Sequence, residues 1–170
     1  MPPSIDSRPA SFAQTHRLAA PRDAVWAALS QADRLARWWP PAGARLTHAS
    51  LAFHLGGRFL YATQLPDGQT VWGRGVFRDI MAPECVVFVA SFSDADGGVR
   101  RHPGRPLWPR YVHHTLALVE VAGGTELRLC ARPVHATAAE VRAFEDGHAC
   151  LQRGFAEAWA RLDAHLAGPA

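Results

Sequence analysis

The spacing of apolar residues changes character twice along this chain, and each change marks a new kind of element. Residues 11–19 read as a first strand. Pro21 then suits the first turn of a helix, where its missing N–H costs nothing, and Asp23 suits the positive helix end. Val25, Trp26 and Leu29 give that helix an apolar side. Asp33 is placed to cap a second, shorter helix carrying Leu35, Trp38 and Trp39, which Pro40 and Pro41 stop. From about Ala44 to Pro133 the period shortens to that of strands, with runs at 44–53, 57–65, 71–81, 85–92, 111–121 and 125–131. Gly56-Gly57 marks a bulge or tight bend, and Pro66-Asp67-Gly68-Gln69 a hairpin turn. Ala82-Pro83-Glu84 and Ala122-Gly123-Gly124 close two further hairpins. Strands joined mostly by such short turns form an antiparallel meander.

The last segment returns to the helical period. Thr137-Ala138-Ala139-Glu140 is a capping box, in which side chains satisfy backbone N–H groups that the helix leaves orphaned. Val141, Phe144, His148, Leu151, Phe155, Trp159, Leu162 and Leu166 follow at steps of three and four, and Gly168-Pro169 ends the run. Unbroken, this helix would be ~45 Å long, enough to cross a whole sheet. Gly147 and Gly154 within it allow close approach to the sheet or mark a bend. The order strand, two helices, six strands, long helix predicts an α+β fold. A curved seven-stranded antiparallel sheet wraps around the C-terminal helix, and a helix only ~10 Å wide leaves an internal cavity.

Composition narrows the class. The 170 residues fit one domain able to bury roughly 70% of its unfolded surface. With 48% hydrophobic and 19% charged residues the chain is globular, not disordered. No stretch approaches ~20 consecutive apolar residues, so no membrane span is expected. Met1–Arg8 is polar and lacks a secretory core. Residues 1–10 are therefore read as a flexible N-terminal tail, residues 11–167 as a single domain, and the protein as cytoplasmic. Cys85, Cys130 and Cys150 form an odd set without metal-ligand spacing, each in an apolar segment, and are read as reduced, buried thiols. The net charge is +3, and every one of the 18 basic residues is arginine. The one local basic cluster, Arg100, Arg101, His102, Arg105 and Arg110, lies among Pro103, Gly104, Pro106 and Pro109 and reads as a solvated loop. It lacks the long basic surface of a nucleic-acid site.

Several local phrases recur in a set order and spacing: Ala20-Pro21…Val25-Trp26, Leu35-Ala36-Arg37-Trp38-Trp39, Gly56-Gly57-Arg58-Phe59 and Gly75-Val76-Phe77-Arg78-Asp79-Ile80. Pro83-Glu84…Val87-Phe88, Ser91-Phe92-Ser93-Asp94-Ala95-Asp96-Gly97, Trp108-Pro109, Gly124-Thr125-Glu126-Leu127 and Gly154-Phe155 continue them. Together they resemble the SRPBCC (START-like) superfamily. Within it they are similar to the bacterial branch homologous to the activator of heat-shock-protein-90 ATPase. The resemblance implies the helix-grip fold already reached from element order, and an interior that holds ligands in many members. It does not name an activity, because one fold hosts many. The eukaryotic co-chaperones carry a separate chaperone-binding domain, so a co-chaperone role is not what the resemblance leads one to expect.

Aromatics are the expected pocket material: Trp39, Phe59, Tyr61, Phe77, Phe88, Phe92 and Phe155, with Leu151 on the helix stripe. His148 interrupts that stripe, as a polar anchor, a general acid/base or a hydrogen-bonded core histidine. His113 and His114 must face opposite ways. Matching the family pattern turns His113, Thr115, Ala117 and Val119 inward, which leaves Leu116 and Leu118 on the outside; either a partner chain covers that face or the strand has the opposite parity. Trp72 and Trp108 read as surface residues of the same kind. No nucleophile elbow, paired carboxylates, HExxH, GxGxxG or P-loop is present, so no catalytic residue, metal or cofactor is expected. The expected function is non-enzymatic binding of a small hydrophobic or aromatic molecule. The alternatives are a polyketide cyclase/dehydratase-like enzyme using a pocket histidine, and a protein-interaction module, co-chaperone-like or homodimeric.

Overall fold

Turns of two to six residues leave antiparallel pairing as the accessible geometry, and the sheet follows it. The computed structural model describes residues 10–168. In chain order the elements are β1 (Phe12–Leu18), α1 (Arg22–Ser30), α2 (Ala32–Trp38), β2 (Arg45–Leu51), β3 (Arg58–Gln64), β4 (Thr70–Met81), β5 (Cys85–Ser93), β6 (Val99–Arg100), β7 (Tyr111–Val121), β8 (Gly124–Val134), α3 (Ala138–Asp146) and α4 (His148–Leu166). Of the segment read as a tail, residues 1–9 lie outside the described residues, as does Pro169. The sheet runs β1-β8-β7-β5-β4-β3-β2, every pair antiparallel, and the two-residue β6 adds an eighth strand alongside β5. β6 was absent from the sequence reading because two residues carry no readable period.

The helix pair plugs one end of the sheet. Val25, Ala28, Leu29, Leu35 and Trp38 are buried. Trp38 Nε1 donates to Ala28 O (3.0 Å), so the indole meets its polar requirement without leaving the core. Asp33 does not cap α2; Gln31 holds the cap position and Asp33 sits in the first turn, where its charge still favours the helix N-terminus. Arg161 Nε on α4 donates to Trp38 O (3.0 Å), and His16 on β1 meets Asp163 on α4 at 2.7 Å. Those two bonds fix the far end of α4 against the plug and the sheet edge.

The C-terminal segment starts as the capping box predicts: Glu140 N donates to Thr137 Oγ1 (3.2 Å) and Thr137 N to Glu140 Oε2 (2.8 Å). It is not one helix, however. α3 ends at Asp146, Gly147 caps it, and α4 begins at His148. The Gly147 backbone is ordinary, at φ −82°, so conformation does not demand glycine there. Space does: a Cβ would stand 2.6 Å from the Trp108 ring. Among the described residues no helix is long and apolar enough to cross a membrane.

Candidate functional site

A straight helix laid across a curved sheet touches it at one end and stands off at the other. The gap here is a cavity of about 720 Å³, within the range of small-molecule sites. Its floor comes from the inward positions of β3, β4, β5 and β7. Leu151, Phe155 and Ala158 of α4 and Trp39 after α2 cover it, and Trp108 and Pro109 of the loop between β6 and β7 close one end. Aromatic rings recur around the wall. Phe59 stacks on Tyr61 (4.7 Å between centroids), with Trp39 edge-on to both at 5.9 and 5.8 Å. Tyr61 lies flat over β4 because its cross-strand partner is Gly73, where a Cβ would stand 2.5 Å from the phenol. Exposed Arg105, Cys150 and Glu157 line the mouth.

Few polar groups reach this interior. His114 is buried on the cavity side of β7, its ring parallel to that of its strand partner Phe88 at 4.9 Å and edge-on to Phe155 at 6.2 Å. Its Nδ1 lies 3.1 Å from Val112 O. A carbonyl only accepts, so Nδ1 carries the hydrogen. Burial pulls the imidazole down to about 4, against the opposing effect of the Val112 bond, so it is neutral at pH 7. Burial pushes the Tyr61 phenol up, with the Trp39 indole opposing, so the hydroxyl keeps its proton. Thr63 adds a second buried hydroxyl. His102, on the β6–β7 loop, rests on Phe92 at 4.5 Å; burial, then the charge of Arg105, pulls it below its ordinary value. Among the described residues no three His, Cys, Asp or Glu side chains come together as a metal site.

The structure brings Trp39, Phe59, Tyr61, Phe77, Phe88, Phe92, Leu151 and Phe155 to one cavity. It does not bring His113 or His148. The parity of β7 is opposite to the expected one: Val112, His114, Leu116 and Leu118 are buried, and His113 is turned outward beside Arg132 and Arg78. The reason is volume, since two leucines and a valine gain more from burial than Thr115, Ala117 and Val119. His148 is wedged between Phe12 (5.6 Å) and Phe144 (5.2 Å) and faces the α3–β1 packing; its Nε2 is buried without a partner among the described residues. Among the described residues it has no backbone partner of the kind expected for a core histidine.

The surface nominated for a partner largely dissolves. Leu116 and Leu118 are core, and Trp108 packs on Phe144 at 5.4 Å. Trp72 is half-buried against His48 at 5.3 Å. The Arg/Pro loop is also more than a solvated loop. Arg101 Nη1 donates to Glu140 Oε1 (2.9 Å) and to Pro106 O (2.9 Å), which ties the loop to the start of α3 and holds Trp108 over the cavity. The backbone N–H of Thr137, then Arg101, holds the Glu140 carboxyl below its ordinary value. Cys150 is exposed, not buried, because it falls one position off the apolar stripe.

Similar folds occur in solved bacterial proteins. Protein Ms6760 from Mycobacterium smegmatis superposes with a TM-score of 0.79 at 22% identity, over 98% of this chain and 96% of that one. A protein from Arthrobacter aurescens gives 0.77 at 25% identity, over 98% and 92% of the two chains. The AHSA1-like protein from Aeromonas hydrophila gives 0.65 at 18%, over 91% and 90%. No curated protein matches the chain. The family model for Activator of Hsp90 ATPase homolog 1-like protein matches residues 19–167, and the chain belongs to that family.

Proposed function

We propose that this protein binds a small hydrophobic or aromatic molecule between α4 and the sheet, without transforming it. The observation that carries this reading is the cavity of about 720 Å³ walled by aromatic rings. Apolar walls supply affinity by excluding water, and the few buried polar groups, His114, Tyr61 and Thr63, fix orientation. The enzyme reading has less support. It needs a pocket histidine beside a second titratable group, whereas His114 is flanked by Phe88 and Phe155 and bonded to a backbone carbonyl. A group pulled down to about 4 is also a weak base at neutral pH.

Native mass spectrometry of the purified protein, followed by thermal-shift screening of fused-ring aromatics, tests the reading. A co-purified small molecule, or a melting temperature that rises with ligand concentration, supports it. No adduct and no shift across such a panel would overturn it.

A further inference from the structure

Resting on the ligand-binding reading above, we propose that the ligand presents a hydrogen-bond donor, an aromatic hydroxyl, to Nε2 of His114. The ring is held on three sides. Phe88 covers its face, Phe155 meets its edge, and the Nδ1 hydrogen is committed to Val112 O at 3.1 Å. A neutral imidazole with its hydrogen on Nδ1 leaves a lone pair on Nε2, which can only accept. The hydrogen bond His114 makes among the described residues is the one at Nδ1. The contrast with His148 is informative. His148 Nε2 is sealed from every side, while His114 lines the cavity and its Nε2 is not among the sealed nitrogens.

An acceptor of this kind selects its ligand. A carboxylate, ketone or ether oxygen would set lone pair against lone pair, whereas a hydroxyl completes the bond. The rest of the wall asks for a flat apolar body. The Phe59–Tyr61 stack and Trp39 line it with ring faces and edges, the geometry that receives a further aromatic ring. Burial, which keeps the imidazole neutral, keeps the acceptor available throughout the neutral range.

The test pairs 2-naphthol with 2-methoxynaphthalene, which share a ring system and differ in one donor. Binding of each is measured calorimetrically to the native protein and to His114→Phe, which keeps the stacking and removes the acceptor. The naphthol is expected to bind about tenfold more tightly than the ether in the native protein, and the gap to close in the variant. Equal affinities in the native protein, or a gap that survives His114→Phe, would overturn the inference while leaving the cavity reading intact. Binding of neither compound would sink the cavity reading and this inference with it. Should the variant not fold, the 15N resonance of Nε2 in the native protein decides. It should move upfield by several ppm with naphthol and stay put with the ether; a stationary signal under saturating naphthol overturns the proposal.

Discussion

The apolar stripe of the C-terminal segment behaves as two different surfaces. Toward its end, Trp159 and Leu162 are fully buried, with the Trp159 ring 6.0 Å from Trp38 of the helix plug. One to two turns earlier, Leu151 and Phe155 sit at the same spacing on the same face but are only half-buried, because the cavity lies beneath them. Hydrophobic period is identical in both places; what differs is whether the opposing surface reaches the helix. The plug of α1 and α2 reaches it at one end, while the sheet curves away at the other. A stripe therefore says which face of a helix turns inward, not whether anything fills the space it turns to.

Truncating the two aromatics should separate these surfaces most strongly. Trp159→Ala is expected to lose about 3–5 kcal/mol, the range for deleting a fully buried large ring. Phe155→Ala should lose about 1–2 kcal/mol, since that ring is only half-buried and already borders the cavity. Urea denaturation of the two variants measures both. Equal losses would mean that the two halves of the stripe are packed alike and that the cavity is closed in solution.

Acid probes the cavity side through His114. In the unfolded chain a histidine takes up a proton near pH 6.5, whereas folded His114 resists until about 4. Between those values the unfolded state holds the extra proton, so stability must fall as pH drops through that window. The loss from this one group approaches about 3 kcal/mol by pH 4. His114→Phe should flatten that part of the profile relative to the native protein. A slope unchanged by the substitution would show that His114 is not buried neutral. His113, its neighbour on the opposite face, lies beside Arg132 and Arg78 and supplies a smaller contribution of the same sign.

Smaller effects are expected where the loop closes the cavity. Glutamine at position 140 can still serve a capping box, so Glu140→Gln removes the charge pairing with Arg101 and leaves the helix start. The loss should be about 1 kcal/mol, since Arg101 is partly exposed. Hydrogen exchange should accelerate over residues 101–109 without acceleration in α3. Acceleration in α3 alone would mean that the pair stabilises the helix and does not hold the loop.

Sequence period carried most of the fold, while the rings of the site were put forward by residue type and not by face. Phe59, Tyr61, Phe77, Phe88 and Phe92 all line the cavity from β3, β4 and β5. In β7 both parities carry apolar residues, and the family pattern favoured the wrong one; weighing Leu116 and Leu118 against Thr115 and Ala117 by buried volume would have turned His114 inward. The glycines at 147 and 154 flagged a bend or a close approach, but not which of the two positions breaks the helix, nor what it approaches. The group packed against Gly147, Trp108, lies some forty positions earlier, in a loop whose Pro and Arg content reads as surface. Long-range contacts of single side chains leave no period behind them.

Gly154 lies beside Phe155 in the cavity half of α4. A Cβ there would touch nothing, yet the residue lies on α4 at the edge of the cavity. A glycine inside a helix loses backbone entropy on folding, so Gly154→Ala should stabilise the empty protein by about 0.5–1 kcal/mol, read as a small rise in melting temperature. If the open space at this position belongs to the ligand, the same methyl should weaken binding of a fused-ring aromatic while raising stability. Opposite signs in the two measurements would place the occupant under Gly154. Stabilisation with unchanged affinity would place it deeper, against Tyr61 and His114.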